Sequence, residues 1–387
     1  MSSGEALSPA ARASEGAELD KRPLGAAWIG VGLLLVLALA WLTRYLEEHA
    51  SGWFGDSDFV GAVEYPVYAI ALGLAGSFVI GKLGVRDRLS PAFRTEFFIK
   101  TGLVLLGASI NISVIVRAAG PAIAQAVILV TAVFLFAWWL GGRLGLDDKL
   151  RALLASAVSI CGVSAAIAAA GAVRATREQI AYTASLVILF ALPSIFLLPW
   201  LVDVLGLSNA VAGAWIGGNI DTTAAVAASG AIVGEESLQI ATIVKASQNV
   251  LMGVVAVALT AYFTLRVERR QAADGAPADV PRQPSVWIQL WDRFPKFVLG
   301  FIAASLIGTW FLEVASDPDA AKATIGVVND YRTWFLALAF VSIGLEFQIK
   351  AVREAGWRPI AVFGGAAAFN LLLGLLLASI LFAGFAV

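Results

Sequence analysis

Long apolar runs constrain this chain more than any other feature. A helix that crosses a bilayer needs about 20 mostly apolar residues. Eleven segments meet that requirement: 25–43, 59–80, 97–116, 119–141, 150–173, 179–202, 209–232, 238–265, 295–313, 333–349 and 357–386. Charged residues make up only 14% of the chain, against about 25% in soluble domains. The sequence therefore predicts an all-α polytopic membrane protein with about eleven transmembrane helices.

The distribution of Lys and Arg predicts the orientation. If the N-terminus is cytosolic and the helices alternate, 19 Lys and Arg fall on the cytosolic side and 6 on the outside. The six are Arg44, Arg117, Arg174, Arg177, Lys322 and Arg332. Because Lys and Arg concentrate in cytosolic loops, we expect a cytosolic N-terminus and an outside C-terminus. Two re-entrant segments would imitate one span, so the sidedness is better determined than the number of spans.

Internal similarity predicts a division into repeats. Residues 105–124 resemble 340–363, and 99–107 resemble 244–253. Both matches join helices that would run in opposite directions, as in the inverted repeats of secondary transporters. The pairing stays open, and the simplest scheme pairs the fifth span with the tenth. The predicted parts are a disordered cytosolic tail (1–24), an extra helix with an outside loop (25–58), a first repeat (59–206) and a second repeat (207–386) with a cytosolic linker (266–294).

Two polar interruptions stand out in the apolar spans. They read SICGVSAA at 159–166 and GGNIDTT at 217–223, and a milder one reads SIGLEFQ at 342–348. Backbone groups without a partner are costly in hydrocarbon, so such breaks are tolerated only inside protein or beside a wet cavity. A broken helix directs N–H groups at an anion, while its carbonyl end favours a cation. We expect the two main breaks to meet near the membrane midplane and form one site.

The interruptions and the polar stripe of the eighth span supply the candidate substrate-binding residues. These are Ser159, Cys161, Gly162, Ser164, Gly217, Gly218, Asn219, Thr222, Thr223, Lys245 and Asn249. Gln248 and Asn249 share the helix face of Lys245, because they follow it by three and four residues. The competing interpretation is structural: small residues also allow close helix packing.

Three ionisable residues are candidates for coupling transport to an ion: Asp221, Lys100 and Glu346. An ionisable residue within a span is a functional candidate by default. The structural alternatives are an ion pair of Asp221 with Lys245, extension of Lys100 to the membrane surface and an ion pair of Glu346 with Lys350. With one His (His49) and one Cys, the chain predicts no metal site and no cofactor apart from a coupling ion, Na⁺ or H⁺.

The segments SICGVSAAIAA, KTGLVLLGASI and FVLGF (297–301), together with the overall layout, resemble the YeiH family of bacterial inner-membrane proteins, described as sulfate exporters. The resemblance covers roughly 60–386, and its Cys-Gly-x-Ser-Ala motif fits 161–165. It implies the fold class of cation/proton antiporters and bile-acid symporters, with inverted five-helix repeats and crossed, broken helices. Many members carry a His-Asp pair and a Gln in the seventh span. This chain has Asp221, Thr222 and Ala225 there, so a His-dependent proton step does not carry over.

The sequence therefore favours a secondary transporter of the bacterial inner membrane. Its substrate would be a small anion, either a sulfate-like oxyanion or an organic carboxylate or sulfonate, moved by alternating access. The alternative is a Na⁺ or H⁺ antiporter with Asp221 as the cation site. The sequence has no motif typical of a membrane enzyme, an ATP-binding P-loop or nucleic-acid binding. The expected partners are the substrate and the lipid bilayer, and a homodimer stays open.

Overall fold

A computed structural model describes residues 26–54, 64–273, 285–347 and 356–385. Every regular element in these ranges is a helix. The predicted tail (1–24), the end of the predicted outside loop, the middle of the linker and Lys350 lie outside the described residues.

The α-helices are numbered here in chain order. They are α1 (Ala26–Phe54), α2 (Tyr65–Lys82), α3 (Arg86–Leu89), α4 (Thr95–Gly107), α5 (Ile112–Arg143), α6 (Asp148–Ser156), α7 (Val163–Val173), α8 (Arg177–Leu205), α9 (Asn209–Asn219), α10 (Thr223–Val233), α11 (Glu235–Ala273), α12 (Val286–Arg293), α13 (Phe297–Val314), α14 (Pro318–Glu346) and α15 (Trp357–Leu381). A 3₁₀ turn follows α3 (Ser90–Ala92), and a π-helical turn (Ala157–Cys161) joins α6 to Gly162.

Seven of the described helices are long and apolar enough to cross a membrane: α1, α2, α5, α8, α11, α13 and α15. The chain is therefore a multi-pass membrane protein. Two predicted boundaries were wrong. Helix α5 begins at Ile112, where the side chain of Asn111 caps it by accepting from the Ser113 N–H at 2.9 Å. The helix therefore runs without a break through the predicted loop at 117–118. Helix α14 begins at Pro318 rather than 333, because Asp317 caps two N–H groups there.

The predicted fifth span is a re-entrant hairpin instead of a crossing helix. Helices α6 and α7 pack against each other on either side of the break at Gly162. The start of α6 lies beside the end of α7, since Nζ of Lys149 donates to the carbonyl of Arg174 at 2.9 Å. Both ends of this first hairpin are therefore at the same face of the molecule. The expectation that 143–151 and 174–177 lie on opposite sides was wrong.

The predicted seventh span is a second hairpin, formed by α9 and α10. Nδ2 of Asn209, at its start, lies 3.4 Å from a carboxylate oxygen of Glu236, just beyond its end. Helix α9 runs along α11 at close range: a methyl group on Gly213 would lie 2.5 Å from the carbonyl of Ser237. Small residues are thus needed for packing in this arm. Helix α8, which is 29 residues long and able to cross a membrane, separates the end of the first hairpin from the start of the second, so the second hairpin enters from the opposite face.

The two hairpins increase the difference in the number of Lys and Arg residues between the two faces of the molecule. We call the face that holds the ends of the first hairpin the basic face. In the described part of the chain it carries Lys82, Arg86, Arg88, Arg94, Arg143, Lys149, Arg151, Arg174, Arg177, Arg293, Lys296 and Arg358, whereas the opposite face carries Arg44, Arg117, Lys322 and Arg332. Arg174 and Arg177 thus join the side that the sequence predicted to be cytosolic.

The helices form two bundles. The first, called the frame here, contains α1, α2, α4, α13 and α14, which cross at glycines: a methyl group on Gly344 would lie 2.7 Å from the Cα of Gly73. The second, the hairpin bundle, contains both hairpins with α5, α8, α11 and α15. Helix α10 packs against α14, α2 and α4 of the frame. The second hairpin therefore lies where the two bundles meet.

Candidate functional site

Lys245 of α11 joins the tips of both hairpins. Its side chain is buried, with 1% of its surface exposed. Nζ donates to the carbonyl of Ile160 in the first hairpin, to the carbonyl of Ile220 in the second at 2.7 Å, and to Oε1 of Gln248 at 2.9 Å. An ammonium group has three protons, so each has an acceptor within the protein.

At its tip, each hairpin has one negative helix end and one positive helix end. The carbonyls of Ile160 and Ile220 belong to the negative, C-terminal ends of the first arms, and Lys245 neutralises both. The second arms, α7 and α10, begin with N–H groups that have no partner within the helix. These positive ends meet: a methyl group placed on Gly162 would lie 3.2 Å from Cγ2 of Thr222. The tips together favour negative charge.

Gly162 is the one tip residue whose backbone requires glycine. Its φ of 59° and ψ of −121° lie where L side chains rarely fit. A methyl group there would also lie 2.6 Å from Cγ1 of Val187. The sharp reversal between the π-helical turn and α7 therefore depends on this residue.

Buried amides hold the tip of the second hairpin. Nε2 of Gln248 donates to the carbonyl of Gly218 at 2.9 Å, and Nδ2 of Asn370 donates to the carbonyl of Asn219 at 3.1 Å. Nε2 of Gln125 donates to the carbonyl of Ala214 at 2.7 Å. Sequence reasoning missed Gln125 and Asn370. Each is a lone buried amide in an otherwise apolar span, a signal that could have found them.

Two cavities reach the hairpin tips. The first, called the apolar cavity, has a volume of about 420 Å³ and lies between α8, the tips and the frame. The second, called the charged cavity, has a volume of about 470 Å³ and is lined by Lys100, Asp292, Arg293 and Lys296 near the basic face. Cys161, Ser164 and Glu96 line both cavities. The tips are thus approached from the basic face.

The predicted site residues separate into two sets. Those that line a cavity are Cys161, Ser164, Thr222, Thr223, Asn249, Lys100 and Glu346. Those that line neither cavity are Ser159, Gly162, Gly217, Gly218, Asn219, Asp221 and Lys245. Within the second set, Oγ of Ser159 donates to the carbonyl of Ala155 at 2.7 Å, and Gly217 lies against the carbonyl of Ala241. Ser159 and Gly217 therefore stabilise the structure and packing of the hairpins.

The three candidate coupling residues differ in their surroundings. Lys100 pairs with Glu96 at 2.8 Å on an exposed part of α4. Oε1 of Glu346 accepts from Oγ1 of Thr95 at 2.7 Å. Asp221 is 6% exposed, and its carboxylate has no hydrogen bond or ion pair within the described part of the chain. Asp221 is therefore a buried acidic group close to Lys245 that makes no direct ion pair with it.

Comparison with known proteins places the chain in a family. The family model described as "Conserved hypothetical protein 698" matches residues 31–363. A UPF0324 membrane protein of Rhodopirellula baltica is 35% identical over 339 residues, which cover 85% of this chain and 60% of that protein. One from Nitratidesulfovibrio vulgaris is 36% identical over 318 residues, which cover 80% and 53%. One from Pseudomonas aeruginosa is 27% identical over 338 residues, which cover 85% and 88%.

The chain spans just over half the length of the first two of these relatives. No solved structure matches it. Because the family model matches most of the sequence, the chain belongs to the UPF0324 family of membrane proteins, which is the YeiH family that its motifs resemble.

Proposed function

We propose that this protein is a secondary transporter that moves a small anion across the bacterial inner membrane by alternating access. The basic face is then cytosolic, with the N-terminus inside and the C-terminus outside, because Lys and Arg concentrate on the cytosolic side of membrane proteins. Two hairpins that enter from opposite faces also favour an inverted relationship between the halves of the chain. The five-and-five division remains part of this proposal.

One observation carries the anion assignment. The positive ends of α7 and α10 meet at Gly162 and Thr222, while Lys245 neutralises the negative ends of the opposing arms. An anion at the tips would meet N–H groups and the hydroxyls of Ser164 and Thr222, which line the apolar cavity. Lys245 would act through its field and through the shape of the tips, because its protons are already bound.

Alternating access is supported by an asymmetry between the two faces. Both cavities reach the tips from the basic face. Near the opposite face, Nη1 of Arg332 on α14 lies 2.6 Å from Oε1 of Glu235 at the start of α11. This ion pair joins the frame to the hairpin bundle. The described conformation is then the one open to the cytosol, and movement between the bundles would open the other face.

A cation antiporter with Asp221 as its site is the second candidate. The buried Asp221 carboxylate, which has no hydrogen-bond or ion-pair partner among the described residues, favours it, because such a group is suited to bind Na⁺ or a proton. Asp221→Asn removes this charge with little change in size, and Asp203→Asn at the exposed end of α8 is the matched control. An antiporter would lose cation transport in the first variant only. An anion transporter would keep anion binding but lose ion coupling or change its pH dependence.

The experiment that tests the proposal is a thermal-unfolding screen of the purified protein with two sets of salts. One set has a single anion with varied cations, and the other has a single cation with varied anions. A ligand that binds only the folded state raises the unfolding temperature by mass action. We expect saturable stabilisation that follows the anion. Stabilisation that depends on Na⁺ or Li⁺, with no effect of any anion, would instead support the cation antiporter.

A further inference from the structure

The walls of the apolar cavity point to the kind of anion. We infer that the substrate is an organic anion with an apolar body, whose charged head lies at the hairpin tips and whose body fills the apolar cavity. This inference rests on the proposed function and narrows it. It favours an alkylsulfonate-like or carboxylate-like substrate over a bare inorganic oxyanion.

The volume and lining of the cavity support an apolar body. About 420 Å³ is far more than one compact inorganic ion occupies, and most of the wall is aliphatic. The wall includes Ala184, Ile188, Leu192 and Ile195 of α8, Ala224 of α10 and Ile343 of α14. Water finds few hydrogen-bond partners against such a wall. A hydrocarbon chain in the cavity instead removes the apolar surface of both the ligand and the wall from water, which is favourable.

The polar groups of the cavity are concentrated at its two ends. Cys161, Ser164 and Thr222 lie at the hairpin tips, whereas Arg94, Thr95, Glu96 and Glu346 lie on the frame side. The frame side thus has two acidic side chains against one guanidinium and no net positive charge, so the two ends are electrostatically different. A ligand with one anionic end and one apolar end therefore has a defined orientation, with its head at the positive ends of α7 and α10.

A second observation at the tips points to a missing partner. Asn249 is 4% exposed and lines the charged cavity, which adjoins the apolar cavity at Cys161 and Ser164. Its Nδ2 donates to Oγ1 of Thr223 at 3.2 Å, whereas its Oδ1 has no hydrogen-bond partner among the described residues. Buried polar atoms are usually partnered. A sulfonate or carboxylate only accepts hydrogen bonds, so a water carried in with the head group would supply the missing donor and bridge the head group to Oδ1.

The donors available to the head also favour a monoanion. All three protons of Lys245 are bound to protein acceptors, so no free ammonium from this residue reaches the tips. Leaving water costs a dianion such as sulfate more free energy than it costs a monoanion, and the tips offer only neutral N–H and hydroxyl groups in return. A sulfonate or carboxylate carries one charge, and burial of its hydrocarbon part adds to the binding free energy.

The test is a chain-length series with one kind of head group. Binding of methanesulfonate, butanesulfonate, hexanesulfonate and inorganic sulfate to the purified full chain is measured by calorimetry or thermal shift. Each methylene that enters the cavity should tighten binding about fourfold, so hexanesulfonate should bind roughly fifteenfold more tightly than butanesulfonate. Hexanol and hexylammonium are the controls for the head group.

A matched pair of variants locates the binding. Ala184→Phe places a ring in the apolar cavity and should abolish the dependence of binding on chain length. Ala181→Phe lies on the exposed side of the same helix, nearly one turn earlier, and should leave that dependence unchanged. Unfolding curves without ligand show whether either variant has lost stability, because a ring at a packed site can destabilise the fold.

The possible failures are distinct. Sulfate binding as tightly as hexanesulfonate, with no effect of chain length, overturns the organic substrate but keeps the anion transporter. Equal binding of hexanol, hexylammonium and hexanesulfonate would mean that the cavity takes any apolar chain, such as a lipid tail, and overturns the assignment of the head to the tips. Binding of no anion at all contradicts the proposed function itself.

Discussion

The ammonium nitrogen of Lys245 lies 2.7 Å from the carbonyl oxygen of Ile220, where the first arm of the second hairpin ends. The same nitrogen donates to the carbonyl of Ile160 in the first hairpin. One side chain thus joins two segments that enter from opposite faces. From sequence, Lys245 is expected to contact the substrate, whereas the geometry favours a role in holding the tips together.

Replacing Lys245 should therefore reduce stability as well as transport. Lys245→Met leaves two buried carbonyls without their donor, and each should lower the free energy of unfolding by about 1–3 kcal/mol. Lys245→Arg should not restore stability, because a planar guanidinium cannot replace a compact ammonium between these carbonyls. Thermal unfolding of the purified variants measures the effect. Lys100→Met, on an exposed part of α4, is the control and should change stability by less than about 0.5 kcal/mol. A Lys245→Met protein as stable as wild type would contradict the structural role.

Gly162→Ala should displace the tip of the first hairpin. The residue has a φ of 59°, and the new methyl group would lie 2.6 Å from Val187. A residue with a Cβ atom in this sparsely populated backbone conformation costs about 1–3 kcal/mol. We expect lower thermal stability and loss of transport in proteoliposomes. Gly171→Ala, in α7 with open space around it, should be neutral or slightly stabilising. Equal behaviour of the two variants would argue against a specific role for the turn at Gly162.

The ion pair between Glu235 and Arg332 should favour the conformation closed at the opposite face. A partly exposed pair contributes about 0.2–1 kcal/mol, so Glu235→Gln should raise the population open to the outside by up to about fivefold. The readout is alkylation of Cys161, the only cysteine, by a small impermeant reagent added outside intact cells. The neighbouring variant Glu236→Gln is the control. The gating role is wrong if outside alkylation is unchanged in Glu235→Gln, or if Glu236→Gln raises it equally.

The hairpins place the loops at the two ends of α8 on the sides opposite to those expected from a simple alternation of eleven spans. Introduced cysteines in Arg177→Cys and Ser208→Cys, each in a Cys161→Ser background, distinguish the two topologies. We expect position 208 to react with an impermeant reagent from outside and position 177 to react only after the membrane is permeabilised. The opposite pattern would restore crossing helices at 150–173 and 209–232.

Much of the fold is predictable from the sequence, because apolar length and charge asymmetry follow directly from the cost of placing polar groups in lipid. The breaks at Gly162 and at 220–222 also have a local signal, since glycine and hydroxyl residues interrupt otherwise apolar runs. The return of each second arm to its own face has no such signal. Two short arms and one crossing helix have the same composition, and contacts such as Lys149 with Arg174 decide between them.

The site is less predictable, because its residues act through distant partners. The Lys245 stripe is visible in the sequence, but its acceptors at Ile160 and Ile220 are backbone carbonyls that no pattern identifies. The wall of the apolar cavity consists of ordinary aliphatic residues of α8 such as Ile188 and Leu192. Only the packing of the frame against the hairpin bundle distinguishes them from residues that face lipid.

The most direct test of an anion site at the hairpin tips uses Cys161, which lines both cavities there. The rate of its alkylation by a small thiol reagent is measured in the purified protein at constant ionic strength, with increasing butanesulfonate or with butylammonium chloride. The account predicts saturable protection, with at least about a fivefold lower rate at saturating sulfonate and no protection by the cation. An alkylation rate that no anion lowers, or that both compounds lower equally, would contradict it.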